Sequence, residues 1–145
     1  MLVRRWRFLH DKKWGYAMKR FVHLLLIGCV LLIAACRENP VYNVASAPLN
    51  APPTATLQDI QRAIVRAGAT GGWQMTPKEP GYIVATLTRR SHTAVVDIRF
   101  DTQTYSITYK DSANLNYDGT NIHSNYNSWI QLLQTQIQNQ VAALY

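Results

Sequence analysis

The sequence predicts a small α+β domain: a helix, a three-stranded antiparallel meander and a second helix, with both helices packed on one face of the sheet. Three observations carry this reading. Leu57, Ile60, Ile64 and Ala67 recur at spacings of three and four, the stripe of an amphipathic helix. Between residues 83 and 109 apolar and polar side chains alternate in three successive stretches, the period of half-buried strands. From Tyr126 onward the helical spacing returns, through Trp129, Ile130, Leu133, Ile137, Val141 and Leu144.

The first helix is bounded by its own chemistry. Thr56 stands three residues before Asp59, which suits an N-cap with an acid in the first turn, where the helix dipole favours negative charge. Gly68 suits the C′ position, and Gly71-Gly72 stop any continuation. Trp73 follows as a large aromatic expected to cover the end of the helix.

The strands carry their own register. A turn at Arg90-Ser91 sets Leu87 opposite Ala94, Ala85 opposite Val96 and Ile83 opposite Ile98. A turn at Thr102-Gln103 sets Phe100 opposite Tyr105, Ile98 opposite Ile107 and Val96 opposite Tyr109. Both registers keep apolar residues on the same face, and a slip of one residue would send each stripe to the wrong side. Neither turn has the favoured Asn-Gly chemistry, so loops longer than two residues are expected. The other face holds Thr86, Thr88, Thr93, Asp97, Arg99, Thr108 and Lys110, suited to solvent, with Val84 and Val95 as a small contact patch.

The last helix is expected over 123–143. No Asp, Glu, Lys or Arg follows Asp118, and the polar face of the helix is built from Gln131, Gln134, Gln136, Gln138 and Gln140. Amides are desolvated at lower cost than charges, so Gln131, Gln134 and Gln138 form a candidate partner face.

Three segments organise the chain: 1–35, 36–56 and 57–145. In the first, the apolar run 21–35 follows Lys19 and Arg20 and ends in small residues directly before Cys36. That pattern is an export signal, too short for the roughly 20 apolar residues of a membrane-spanning helix. Met18-Lys19-Arg20 reads as a compact start, so translation is expected to begin at Met18. Residues Leu32-Ile33-Ala34-Ala35-Cys36 resemble the lipobox of bacterial lipoproteins. The resemblance implies that Cys36 is lipidated and becomes the first mature residue. Arg37, where an Asp would retain the protein at the inner membrane, implies transfer to the outer membrane, facing the periplasm. Pro40, Pro48, Pro52 and Pro53 then suggest that 36–56 is a tether reaching at most about 60 Å.

Removing residues 1–35 changes the charge argument. They hold seven of the 15 basic residues and one of the eight acids, leaving eight basic and seven acidic side chains. The high isoelectric point therefore belongs to the leader. With Arg89-Arg90 as the one adjacent basic pair left, no nucleic-acid footprint remains. Both cysteines, Cys29 and Cys36, lie in the signal and at the lipidation point, so the domain has no disulfide to rely on.

Chemistry, if any, is expected in the loop from Asp111 to Gly119 and the helix start after it. Asn114, Asn116, Tyr117, His123 and Asn127 are the candidate ligand or partner contacts, able to hydrogen-bond and stack on a glycan. Asn114, Asn116, Asp118 and Gly119 resemble the start of a calcium loop, but Asn125 stands where a bidentate Glu is needed. Ser112, His123 and Asp111 supply triad residue types without a nucleophile elbow around the serine, and no catalytic set is assigned. His92 and His123, the histidines left after the signal, are too few for zinc, and no metal or other cofactor is expected. Segments 105–112 and 122–129 also resemble small proteobacterial lipoproteins, a likeness that implies no activity. The expectation is a membrane-anchored, non-catalytic domain that binds another envelope protein. The alternatives are a glycan- or peptidoglycan-binding module on 111–129 and, less favoured, a hydrolase.

Overall fold

A computed structural model describes residues 38–145. The expected signal, the start at Met18 and the lipidation at Cys36 lie outside the described residues. Within them the order is β1 (Glu38–Pro40), β2 (Val44–Pro48), α1 (Leu57–Thr70), β3 (Gln74–Glu79), β4 (Tyr82–Arg89), β5 (His92–Phe100), β6 (Thr104–Ala113), β7 (Asn121–His123) and α2 (Ser124–Ala142). The class is α+β: strands β2-β6-β5-β4-β3 form a five-stranded antiparallel sheet in that order, and β1 pairs with β7 in a separate ribbon.

The three expected strands are β4, β5 and β6, at the centre of the sheet. Ile83 faces Ile98, Ala85 faces Val96 and Leu87 faces Ala94. Ile98 faces Ile107, Phe100 faces Tyr105 and Val96 faces Tyr109, after which a bulge makes Lys110 the extra residue of β6. The turn at Arg90-Ser91 has only two residues. Arg90 takes φ 56°, unusual for a side chain with a Cβ. Asn114 steadies it by donating from Nδ2 to the Ser91 carbonyl at 2.6 Å. At the β5–β6 turn, Asp101 Oδ1 accepts from the backbone N–H groups of Gln103 and Thr104, each at 2.7 Å.

The sheet is wider than the expected three strands. β3 lies on one edge, carrying Pro77 and a register shift before Glu79. β2 lies on the other, interrupted by a shift between Val44 and Ala47 and closed by Pro48. Prolines are tolerated on edges, where a missing N–H breaks no ladder. The expected tether over 36–56 is therefore corrected from Glu38 onward, because the compact unit spans Glu38–Tyr145. Burial explains why: Val44 is 5% and Leu49 2% exposed, and both belong to the core. Leu49 N–H donates to the Gln103 carbonyl at 2.8 Å and Val41 N–H to the Thr120 carbonyl at 2.9 Å.

α1 begins with a full capping box: Thr56 accepts from the Asp59 N–H, and the Asp59 carboxylate accepts from the Thr56 N–H. It runs past Gly68, the expected stop, to Thr70, with Gly71 as the C-cap. Gly68 is a packing residue instead, since a Cβ there would overlap the Met75 side chain of β3. α2 buries Tyr126, Ile130, Leu133, Ile137 and Val141, with Trp129 half-buried on it and Leu144 half-buried just past its end. These stripes, Trp73 and the sheet residues from Ile83 to Ile107 form one core. On the opposite sheet face Val84 and Val95 are half-buried beside a polar cluster. There Tyr82 donates to Asp97 at 2.7 Å, and Lys110 Nζ reaches the same carboxylate at 2.9 Å. No helix among the described residues is long and apolar enough to cross a membrane.

Candidate functional site

The connection from β6 to β7 is ordered largely by its own side chains. Leu115 is buried, and its carbonyl accepts from the His123 N–H at 2.9 Å. Asn114 and Asn116 adopt positive φ, 58° and 51°, a conformation asparagine tolerates better than most residues. Asp118 Oδ1 accepts from the N–H groups of Thr120 at 2.8 Å and Asn121 at 2.6 Å, so its carboxylate holds the turn. Those backbone donors, Asn121 first, keep its pKa below the usual carboxylate value. Tyr117 is 39% exposed, stacks on Tyr109 with ring centroids 4.1 Å apart, and donates to the Gly119 carbonyl.

Three of the five expected contact residues are engaged in holding the fold. Asn127 is committed to the N-terminal segment: Oδ1 accepts from Tyr42 N–H and Nδ2 donates to the Pro40 carbonyl, both at 2.9 Å. Asn114 is committed to the β4–β5 turn, through Ser91 and through its carbonyl, which accepts from His92 Nδ1 at 2.6 Å. His123 caps α2, its Nδ1 accepting from the Asn125 N–H at 3.2 Å. Asn116 and Tyr117 remain outward-facing. Of the triad residue types, Ser112 Oγ bonds the Tyr109 hydroxyl at 2.9 Å, not His123. Among the described residues no group of three His, Cys, Asp or Glu is placed to hold a metal ion.

The glutamines of α2 divide between two roles. Gln134 Oε1 accepts from the Tyr42 hydroxyl at 2.8 Å, and Gln140 Oε1 accepts from Arg66 Nε at 3.2 Å. Gln136 Oε1 is buried beside Gly71. Gln131 and Gln138 are exposed, together with Thr135, Asn139 and Leu132, the last 54% exposed. Leu132 falls between the buried positions 130 and 133 of the helical stripe, so its spacing alone places it off the core face.

A second feature was not anticipated as a site. Thr88, Arg89, Arg90, His92, Asn125 and Trp129 line an open cleft of about 470 Å³ between the β4–β5 turn and the start of α2. Arg89 Nη2 donates to the Gly71 carbonyl at 2.9 Å. Neither arginine is in an ion pair; the pairs among the described residues are Arg62–Asp59, Arg99–Glu79 and Lys110–Asp97. The His92 and His123 rings lie 5.7 Å apart at 33°. The Arg89-Arg90 doublet and Trp129 were visible in the sequence, but pairing them required knowing that a two-residue turn meets the helix start.

Compared with known proteins, the chain gives no match to a family model, a curated protein or a solved structure.

Proposed function

We propose that the protein is a lipid-anchored envelope protein, attached through Cys36 to the outer membrane and facing the periplasm. In this reading its folded unit is a non-catalytic module that docks another envelope protein. Both helices then lie over the buried face of the sheet, and the outer side of α2 is the docking face. The observation that supports this most is the composition of that side: Gln131, Leu132, Thr135, Gln138 and Asn139 are exposed and uncharged. A helix face free of charge loses little on desolvation, and an exposed leucine at its centre adds apolar area to bury.

Two experiments test the reading. Cys36→Ser should leave the protein unlabelled by palmitate and shift it out of the membrane fraction; unchanged labelling and fractionation would overturn the anchor. A photo-crosslinking residue at Gln138 in intact cells should give one recurrent adduct, absent when the probe stands at Thr76 on edge strand β3. Leu132→Glu should remove that adduct without lowering the melting temperature, since the side chain is exposed. An adduct that survives Leu132→Glu, or none above background, would overturn the docking face.

A further inference from the structure

We propose that the cleft between the β4–β5 turn and the start of α2 binds a sugar ring carrying a carboxylate. This site is separate from the outer side of α2 and does not depend on the docking reading.

The lining combines two guanidinium groups, an imidazole, an indole, an amide and a hydroxyl, with no carboxylate among them. The folded unit is formally balanced, with seven basic and seven acidic side chains between residues 38 and 145, yet none of its acids lines the cleft. Asp59, Glu79 and Asp97 hold the three ion pairs, and Asp101 and Asp118 accept backbone N–H groups in turns. Among the described residues no carboxylate stands within ion-pairing distance of Arg89 or Arg90. Arg89 is held in place by its bond to Gly71, which uses one of its five N–H donors. Arg90 is set at the tip of a turn whose shape Asn114 maintains from outside.

The other side chains narrow the ligand. His92 Nδ1 faces a carbonyl, which only accepts, so Nδ1 carries the hydrogen and Nε2 of the neutral ring is left as an acceptor for a hydroxyl. Trp129 is half-buried in the wall, presenting an indole against which the C–H face of a sugar packs. Asn125 and Thr88 supply further polar groups. At about 470 Å³ the space falls in the range of small-molecule sites, roughly 300–1,000 Å³. A bare anion would leave the indole, Asn125 and Thr88 unused. A neutral sugar would leave two guanidinium groups unsatisfied, whereas a carboxylate matches their fork geometry.

Saturation-transfer NMR on the full chain in detergent, observing the ligand, tests this with four probes. N-acetylmuramic acid and glucuronic acid should receive saturation, strongest at ring C–H protons. N-acetylglucosamine, lacking the carboxylate, should bind at least about tenfold more weakly, the scale of one lost charge-assisted bond. Arg90→Gly removes a guanidinium and suits the positive φ, so it should keep or raise the melting temperature while weakening both acidic sugars about tenfold. Added salt should weaken binding, because the arginines are near solvent. Equal binding of N-acetylglucosamine and the acidic sugars would overturn the proposal. So would tighter binding of glucose 6-phosphate than of either carboxylate, unchanged binding by Arg90→Gly, or no saturation of any probe.

Discussion

Tyr126 is fully buried in α2, and its hydroxyl makes no hydrogen bond to the protein. Burial, before any neighbouring group, pushes its pKa well above the ordinary phenol value. A buried donor without a partner costs about 1–3 kcal/mol, so deleting it while keeping the ring should help. Tyr126→Phe is expected to raise unfolding free energy by about 1 kcal/mol, read from urea titration with an unchanged slope. Gly81 acts in the opposite sense. It has φ 79°, and an added Cβ would stand 2.7 Å from the Phe100 carbonyl oxygen, a backbone atom that cannot swing aside. Gly81→Ala is expected to cost about 2 kcal/mol in the same titration. The Pro80-Gly81 pair that makes this turn was legible as turn chemistry, and it would have revealed β3.

At the level of elements, the segment before α1 is held by a few identifiable bonds. Asn127 supplies two of them, to Tyr42 and Pro40, and Gln134 a third through the Tyr42 hydroxyl. Asn127→Ala should cost about 1–2 kcal/mol and speed amide exchange at Tyr42 more than at Val96 in the central strand. Protection at Tyr42 that survives the substitution would show that burial of Val44 and Leu49 alone holds the segment. The contrast between this region and the centre of the sheet explains what the sequence disclosed. β4, β5 and β6 have one wet and one dry face, so alternation and register were readable from Ile83 to Tyr109. α2 was readable from its stripe for the same reason. β1, β2, β3 and β7 are short or on edges, bury at most one side chain each, and between them carry Pro40, Pro48 and Pro77. A strand with so little buried surface leaves no period to detect, and its prolines imitate a linker. The candidate site was legible only as residue types. Asn114 and Asn127 had the right chemistry for a ligand but are engaged in holding the fold, whereas Arg90 and Trp129 meet only through tertiary packing.

Over the whole molecule, carboxylates link stability to acid. Asp59 is lowered by the Thr56 hydroxyl and N–H, and Asp101 by the N–H groups of Thr104 and Gln103. Asp118 is lowered by Asn121 and Thr120. Burial raises Asp97, but bonds from Tyr82 and Lys110 outweigh it and leave its pKa depressed. A group with a depressed folded pKa contributes its stabilisation above the unfolded value, about 3.9 for Asp, and loses it as pH falls through the folded value. Urea midpoints should therefore stay level from about pH 7 to 5 and decline below about pH 4. A midpoint that rises on acidification would contradict the four assignments together.

The ribbon of β1 with β7 has a mechanical consequence. Antiparallel partners pulled from one end part bond by bond instead of all at once, so tension on Glu38 peels Glu38 from His123, then Asn39 from Ile122, then Pro40 from Asn121. The interrupted β2 comes away next, while the longer ladders of β4, β5 and β6 still resist. Stretched in optical tweezers, the chain should lengthen by about 35 Å at low force before the remainder ruptures, an early yielding that spares the central sheet.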